Sequence, residues 1–405
     1  MRTALVLSIA SASLLAACGP KNAPPPQPPI TEAPPAEPAP EPVAPIPEGW
    51  FAITPQLVVP DIDAAIAFYG TAFGAQPVMS MPGPDGKTMH AEVKIGDSLI
   101  MLEAESPDMK SPKTLGGTTA GLMIYTPDVD TAFQSAVDAG ATVKMPVADM
   151  FWGDRYGVVI DPAGHQWSLA THTEDLTPEQ MAQRAPIAAK ARPKGKKPLA
   201  GKKLAKIEAE WKAIAGTPAA APVPEGYHTV TLALTVNDAA SALAFYTGAL
   251  GGTEMARMPR ADGKIEHAEV KIGDSILMLN DEDPTWGAKS PKTLGAAPVM
   301  VHHYVTDVDA TFGKAVGAGA QEFMPVGVMF WGDRYGGVVA PDGYAWGMAT
   351  HVEDVTLEQM KERMKTEMAA AEAGGAAPAG GGDGTPASDQ TPPGPPPAPA
   401  AAAGK

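Results

Sequence analysis

Two hydrophobic rhythms alternate along the chain. Ile62, Ile66, Tyr69 and Phe73 recur at spacings of four, three and four, which predicts one buried face of an amphipathic helix. From Met89 to Ile95 the period is two: Met89, Ala91, Val93 and Ile95 face one way, and His90, Glu92 and Lys94 the other, as on a half-buried strand. Ser98–Leu102 reads as a further strand after a Gly-Asp turn. The segments PDIDAAIAFYGTAFGA and PDVDTAFQSAVDAGA each follow an apolar strand-like run and precede more strands. Each half of this region therefore reads as strand, helix and about three strands, a βαβββ module.

The pattern then repeats. AFYGTAFG at Ala67 returns as AFYTGALG at Ala244, HAEVKIGDS at His90 returns at His267, and KSPKTLG at Lys110 returns at Lys289. FWGDRYG at Phe151 returns at Phe330, and ATH at Ala170 returns at Ala349. The offset is 177 residues early and 179 later, so the second copy carries two extra residues near Asp283–Gly287. A domain over 53–180 is thus duplicated over 227–365, making four modules, and the expected class is α+β.

The remainder does not look globular. Residues 1–18 have Arg2, an apolar run and Leu15-Ala16-Ala17-Cys18, a signal peptide ending in a sequence similar to the bacterial lipobox. Cys18 is the single cysteine of the chain, which excludes disulfides within the chain and marks it as the expected lipidation site. Gly19, not Asp, follows it, so an envelope location is expected at the outer rather than the inner membrane. Residues 19–52 read as a Pro-rich linker, with 13 prolines between 20 and 47. Residues 181–226 read as a basic linker containing a helix; Leu204, Ile207, Trp211 and Ile214 give that helix an apolar face. Contact with an anionic lipid or other polyanion is the alternative to a plain connector there. The tail, 366–405, is Ala, Gly and Pro with little else and is expected to be disordered. A formal net charge of −16 argues against a nucleic-acid binder.

Taken together, the paired βαβββ modules, the AFY helix, HAEVKIGDS, FWGDRYG, DPAGHQWSLATH and EDLTPEQM resemble the PhnB-like branch of the vicinal-oxygen-chelate superfamily. That superfamily includes glyoxalase I, bleomycin- and fosfomycin-resistance proteins and extradiol dioxygenases. The resemblance implies two tandem domains, each a curved mixed sheet of two modules around a cavity. Single-domain relatives commonly pair, so an intrachain pseudo-dimer is expected.

The resemblance also implies where a metal would sit: four His, Gln or Glu ligands, one from the first and one from the last strand of each module. The corresponding positions are Thr54, Ile100 or Met101, Gly121 and Ser168 in copy one. In copy two they are Thr231, Leu277 or Met278, Met300 and Gly347. Gln56, Glu103 and the His302-His303 pair lie nearby, yet no register supplies four ligands within either copy. No metal site and no cofactor are therefore expected, a divalent metal being the alternative.

Other candidates come from the residues themselves. His90 with Glu92, and His267 with Glu269, lie two apart on a strand and share a face. They suit acid and base roles, a ligand contact, a metal pair or a polar ladder between strands. Trp152, Arg155 and Tyr156, with Trp331, Arg334 and Tyr335, form a second repeated cluster. An arginine beside aromatics grips an anionic or planar ligand, or clamps a loop through its neighbouring aspartate. His172 and His351 suit capping or packing, and His165 is replaced by Tyr344. The expected function is binding of a small molecule by a lipid-anchored envelope protein. A lyase, isomerase or dioxygenase with a rearranged site, and a structural envelope role, are the alternatives.

Overall fold

The computed structural model describes residues 43–83, 85–191, 199–260, 262–283 and 287–372. Residues 1–42, with the signal peptide, Cys18 and most of the Pro-rich linker, lie outside the described residues, as do 373–405. The first module comprises β1 (Ile53–Val59), α1 (Ile62–Phe73), β2 (Gln76–Pro82), β3 (Thr88–Ile95) and β4 (Ser98–Ala104). A short helix α2 (Pro112–Leu115) leads to the second: β5 (Ala120–Tyr125), α3 (Val129–Asp138), β6 (Thr142–Asp149), β7 (Asp154–Ile160) and β8 (Gln166–His172). Between the copies come β9 (Glu174–Asp175), α4 (Pro178–Ala189), α5 (Lys202–Lys212) and β10 (Thr217–Pro218). The third module is β11 (Val230–Val236), α6 (Ala239–Ala249), β12 (Thr253–Pro259), β13 (Ile265–Ile272) and β14 (Ser275–Asp281). After α7 (Pro291–Leu294) the fourth has β15 (Val299–Tyr304), α8 (Val308–Gly317), β16 (Gln321–Val328), β17 (Asp333–Val339) and β18 (Ala345–His351), followed by α9 (Leu357–Glu372). Thus α9 continues seven residues into the segment expected to be disordered from 366.

Each module helix starts the same way. Asp61, Asp128, Asp238 and Asp307 accept a hydrogen bond from the backbone amide three residues on, at 2.9–3.1 Å. Such a cap stabilises a helix by about 1 kcal/mol and fixes where the chain leaves the strand. The alternation read along β3 holds: Ala91, Val93 and Ile95 are buried under the helices, and His90, Glu92 and Lys94 face the opposite, inner side of the sheet.

The modules pair across the copies. One eight-stranded sheet runs β16-β17-β18-β15-β1-β4-β3-β2, and the other β12-β13-β14-β11-β5-β8-β7-β6. The seam of the first is the antiparallel ladder β1–β15, with Thr54 opposite His302 and Gln56 opposite Met300. Its counterpart is β11–β5, with Thr231 opposite Met123 and Ala233 opposite Gly121. Each sheet therefore holds two modules, one from each copy, and not the two modules of one copy. The module-opening strands are apolar on their helix side apart from the buried His303 of β15, so the sequence pattern permits either partner.

The two seams are tied by reciprocal contacts. Ala52 N donates to Asp274 Oδ1 and Thr229 N to Asp97 Oδ1, both at 2.8 Å. The turns at Gly96 and Gly273, both with φ of 60°, approach Thr229 and Ala52 so closely that a Cβ on either would overlap them. His165 and Tyr344 turn out to do one job: His165 Nε2 meets the Val58 carbonyl at 2.9 Å, and Tyr344 donates to the Thr235 carbonyl at 3.1 Å. Each buried side chain thereby satisfies an oxygen near the end of a module-opening strand.

The linker is more ordered than a connector needs to be. Arg184 on α4 is 1% exposed, donates to the carbonyls of Ile214 and Phe151, pairs with Glu174 at 2.7 Å and lies over the Trp211 ring of α5. Among the described residues no helix is long and apolar enough to cross a membrane.

Candidate functional site

The inner face of the β1/β15 sheet collects polar side chains from both copies. Gln56 of β1, Glu103 of β4, His90 and Glu92 of β3, and His302 of β15 share that face by register. His90 Nδ1 donates to Glu103 Oε2 at 3.0 Å, and Gln56 Nε2 donates to the same oxygen at 3.2 Å. Glu92 lies 4.0 Å from His90 Nε2, too far for a hydrogen bond. Burial opposes a charge on His90, but the Glu103 hydrogen bond and the charges of Glu103 and Glu92 outweigh it and raise its pKa to about 9. His302 is the opposite case. It is 5% exposed, its Nε2 has no partner among the described residues, and burial, with the nearby His303 and His90, lowers its pKa to about 3. A cationic and a neutral imidazole thus share one face, where the side chains of His90, Glu92 and Glu103 remain 15–22% exposed.

The β11/β5 sheet has the same frame and different chemistry. The counterparts of Gln56, Glu103 and His302 are Ala233, Asn280 and Met123. His267 and Glu269 are kept, 2.9 Å apart, and the His267 hydrogen bond and charge overcome burial to lower the Glu269 pKa. On this face the β1/β15 sheet carries Gln56, His90, Glu92, Glu103 and His302, where the β11/β5 sheet carries Ala233, His267, Glu269, Asn280 and Met123.

Strand alternation splits the aromatic and arginine cluster. Tyr156 and Tyr335 point to the inner face, where the Tyr156 hydroxyl meets Ser168 Oγ at 2.8 Å and the Tyr335 hydroxyl covers Gly347. Arg155 and Arg334 point to the helices instead. Arg155 binds both oxygens of Asp130 and one of Asp149, and Arg334 binds both oxygens of Asp309, so both clamp strand to helix. Trp152 and Trp331 donate to Asp154 and Asp333 at 3.0 Å. Those aspartates also take Tyr125 and Tyr304 hydroxyls and the Nδ1 of His172 and His351. His172 and His351 each donate a second hydrogen bond, to Asp175 and Asp354. Asp154 and Asp175 raise the His172 pKa to about 9 against its burial.

A further pair of segments was hidden in the linkers. Ala44–Trp50 reads APIPEGW and Ala221–Tyr227 reads APVPEGY, at the same 177-residue offset as the domains. Both cross an inner face as straps. The Pro45 carbonyl accepts from His351 N and the Pro222 carbonyl from His172 N, each at 3.0 Å. Ile46 and Trp50 pack on Tyr304, Met329 and Tyr335; Val223 and Tyr227 pack on Met123, Tyr125 and Tyr156. The Trp50 ring lies 5.5 Å from Tyr304 and 6.1 Å from His302. The repeated signal was legible and was masked by its prolines. A pocket of about 150 Å³ lies elsewhere, outside the sheet beside the start of α1, lined by Asp61, Phe68, Tyr69, Lys113 and Asp161.

The Glyoxalase/Bleomycin resistance protein/Dioxygenase superfamily matches residues 50–169 and 228–348, three-fifths of the chain. The protein belongs to this superfamily. An uncharacterized protein of Mycobacterium bovis is 43% identical over 135 residues, 32% of this chain and 89% of that one. One of Mycobacterium tuberculosis is 43% identical over the same length, 79% of its own. Among solved structures, glyoxalase I from Zea mays is similar over 78% of this chain and 95% of its own, at 16% identity and a TM-score of 0.47. TioX from Micromonospora sp. ML1 is similar over 29% of this chain and 94% of its own, at 28% identity and a TM-score of 0.25.

The superfamily's metal arrangement can be tested against the donors present. Because modules pair across copies, the positions assigned to copy one are split: Thr54 and Met101 lie in one sheet, Gly121 and Ser168 in the other. Ile100 and Leu277 face the helix-side core, so Met101 and Met278 hold the inner positions. In the β1/β15 sheet three strands carry superfamily donor types, Gln56, Glu103 and His302. The fourth carries Gly347, which supplies no side chain and is covered by Tyr335. One Glu103 oxygen already receives both Gln56 and His90. Among the described residues no group of three or more His, Cys, Asp or Glu side chains is placed to hold a metal. The donor set does not fit the four-ligand arrangement in either sheet.

Proposed function

We propose that this superfamily member is a small-molecule-binding protein of the bacterial cell envelope, anchored by acylation of Cys18, and that its ligand sits on the inner face of the β1/β15 sheet. The observation that carries this reading is the difference between two sheets of one frame. Gln56, Glu103 and His302 stand where the other sheet has Ala233, Asn280 and Met123, and the buried His302 Nε2 has no partner among the described residues. A buried polar atom left unpaired costs about 1–3 kcal/mol, a cost that a ligand with a matching group removes. What supports binding rather than metal-assisted turnover is that Gln56, Glu103 and His302 can hydrogen-bond and orient a ligand but do not make up the superfamily's four-ligand set.

The test is a thermal-shift screen of a small-molecule library against the parent chain and a Gln56→Ala/Glu103→Asn/His302→Met variant, which gives the β1/β15 sheet the residues its counterpart has at these three positions. Compounds that raise the parent Tm by several degrees and leave the variant unmoved support the reading. Absence of such compounds, or equal shifts in both, counts against it. Elemental analysis of the same parent preparation, made without chelator, separates binding from metal-assisted catalysis: one equivalent of a divalent transition metal would move the assignment to a lyase, isomerase or dioxygenase. Palmitate labelling that Cys18→Ser abolishes tests the anchor.

A further inference from the structure

Glu92 and Glu269 are counterparts on the inner faces of the two sheets, and their surroundings differ. In the β11/β5 sheet His267 Nε2 donates to Glu269 Oε1 at 2.9 Å. Burial raises the Glu269 pKa, and His267 with the Tyr227 hydroxyl more than offsets it. Neither arrangement is found around Glu92. His90 turns its Nδ1 to Glu103 at 3.0 Å, which leaves Glu92 4.0 Å from the other ring nitrogen. Trp50, with no hydroxyl, stands where the other strap has Tyr227. Glu92 is thus a carboxylate 15% exposed, with no hydrogen bond and no Lys or Arg partner among the described residues. His90 and Glu103 balance each other, so this face carries one negative charge in excess. A charge held partly out of water is costly until an opposite charge and a hydrogen bond reach it.

Aromatic rings stand across the groove. Burial and Asp333 raise the Tyr304 pKa and Glu92 raises it further, so the carboxylate lies near that ring although β4 and β1 separate their strands. The His302 ring lies 4.5 Å from Tyr304, and the Trp50 ring 5.5 Å from Tyr304 and 6.1 Å from His302. Ring faces attract a cation that comes within about 6 Å of their centroids. The buried Nε2 of the neutral His302 is an acceptor in the tautomer protonated at Nδ1, and it has no partner among the described residues. We propose that the β1/β15 site takes an organic cation, a protonated amine on an apolar or aromatic body, with Glu92 as its counter-ion and Trp50, Tyr304 and His302 as its walls. This rests on the small-molecule reading above and names the class of ligand. The ammonium pairs with Glu92 through charge-assisted hydrogen bonds, the stronger kind, and the rings hold its body. A neutral ligand leaves Glu92 unpaired, and an anion adds to the charge already in excess. The β11/β5 sheet offers no such site, because Glu269 is satisfied within the fold and Met123 stands where His302 does.

The test uses the full chain and three ligands of similar shape: benzylamine, which is protonated at neutral pH, benzyl alcohol and benzoate. Each is titrated against the labelled protein and followed by amide chemical shifts. Benzylamine is expected to bind saturably and about tenfold more tightly than benzyl alcohol, with benzoate the weakest. Glu92→Gln should bring benzylamine to the level of benzyl alcohol, and Glu269→Gln should change neither. The comparison of ligands on the parent chain needs no substitution, and a Tm check shows that each variant is folded. Absence of benzylamine binding, an alcohol or benzoate that binds as tightly, or benzylamine binding untouched in folded Glu92→Gln overturns the cation site. The library screen separates this failure from that of the broader reading. Hits that the triple variant loses, but that are neutral or anionic, sink the cation and keep the binding site; no hits at all sink both.

Discussion

Phe51 and His228 stack with ring centroids 3.5 Å apart and planes 15° from parallel. They are counterparts at the 177-residue offset, so an approximate two-fold axis passes between them, and the Ala52–Asp274 and Thr229–Asp97 hydrogen bonds are exchanged by it. Reciprocal contacts of this sort are those of a two-fold dimer interface, here written into one chain.

A chain cut to residues 43–190 would carry β1 and β5 without their partners β15 and β11. Each would present an unpaired edge, and because β5 pairs with β11, the counterpart of β1, two such fragments can supply each other's missing strand. Light scattering is expected to find the fragment as a dimer, and a folded monomer would show that the seam is dispensable.

Gly332 has φ of 98°, and a Cβ there would run into the Glu353 carbonyl, a backbone atom that cannot swing aside. Gly332→Ala is expected to cost about 2 kcal/mol or more, from the left-handed backbone and the overlap together. Urea unfolding reads this directly; a change within experimental scatter would mean that the turn relaxes.

His90 titrates above the usual histidine value, to about 9, because of Glu103 and Glu92. Its contribution to stability is therefore complete below about pH 6.5 and is lost as the pH rises through about 9. NMR titration of the imidazole should show a midpoint near 9 in the parent and at least one unit lower in Glu103→Gln. An unmoved midpoint would remove Glu103 as the cause.

Arg184 is buried with Glu174, two carbonyls and an indole, so Arg184→Ala strands a carboxylate and is expected to cost about 3 kcal/mol. The surface pair Arg363–Glu353 holds no such network, and Arg363→Ala should leave the urea midpoint nearly in place. Similar losses from both substitutions would argue against the buried Arg184 network as the source of the cost.

Much of this architecture was legible because it was periodic. The βαβββ order, the duplication and the two faces of β3 all follow from apolar positions such as Ala91, Val93 and Ile95, whose spacing reports burial whatever the tertiary partner. The pairing of β1 with β15 was not, since Ile53–Val59 is equally suited to Ala120–Tyr125 and no local feature separates them. The site was half legible for the same reason. His90 and Glu92 announce themselves by alternation within one strand, whereas His302 joins Glu103 only through a seam between copies. Arg155 and Tyr156 looked like one cluster because they are adjacent, although adjacency on a strand places side chains on opposite faces. APIPEGW was overlooked because proline-rich composition suggested a solvated stalk, while its echo in APVPEGY pointed to a packed segment.

Crosswise pairing changes what a substitution does over generations. In a homodimer of one-copy chains, every altered residue appears in both sheets, so no site can gain or lose a group by itself. Here Gln56 and Glu103 reach one sheet from the first copy and His302 reaches it from the second, leaving the other sheet untouched. Joining the two halves in one chain therefore lets the two sheets carry different groups, while each copy contributes strands to both.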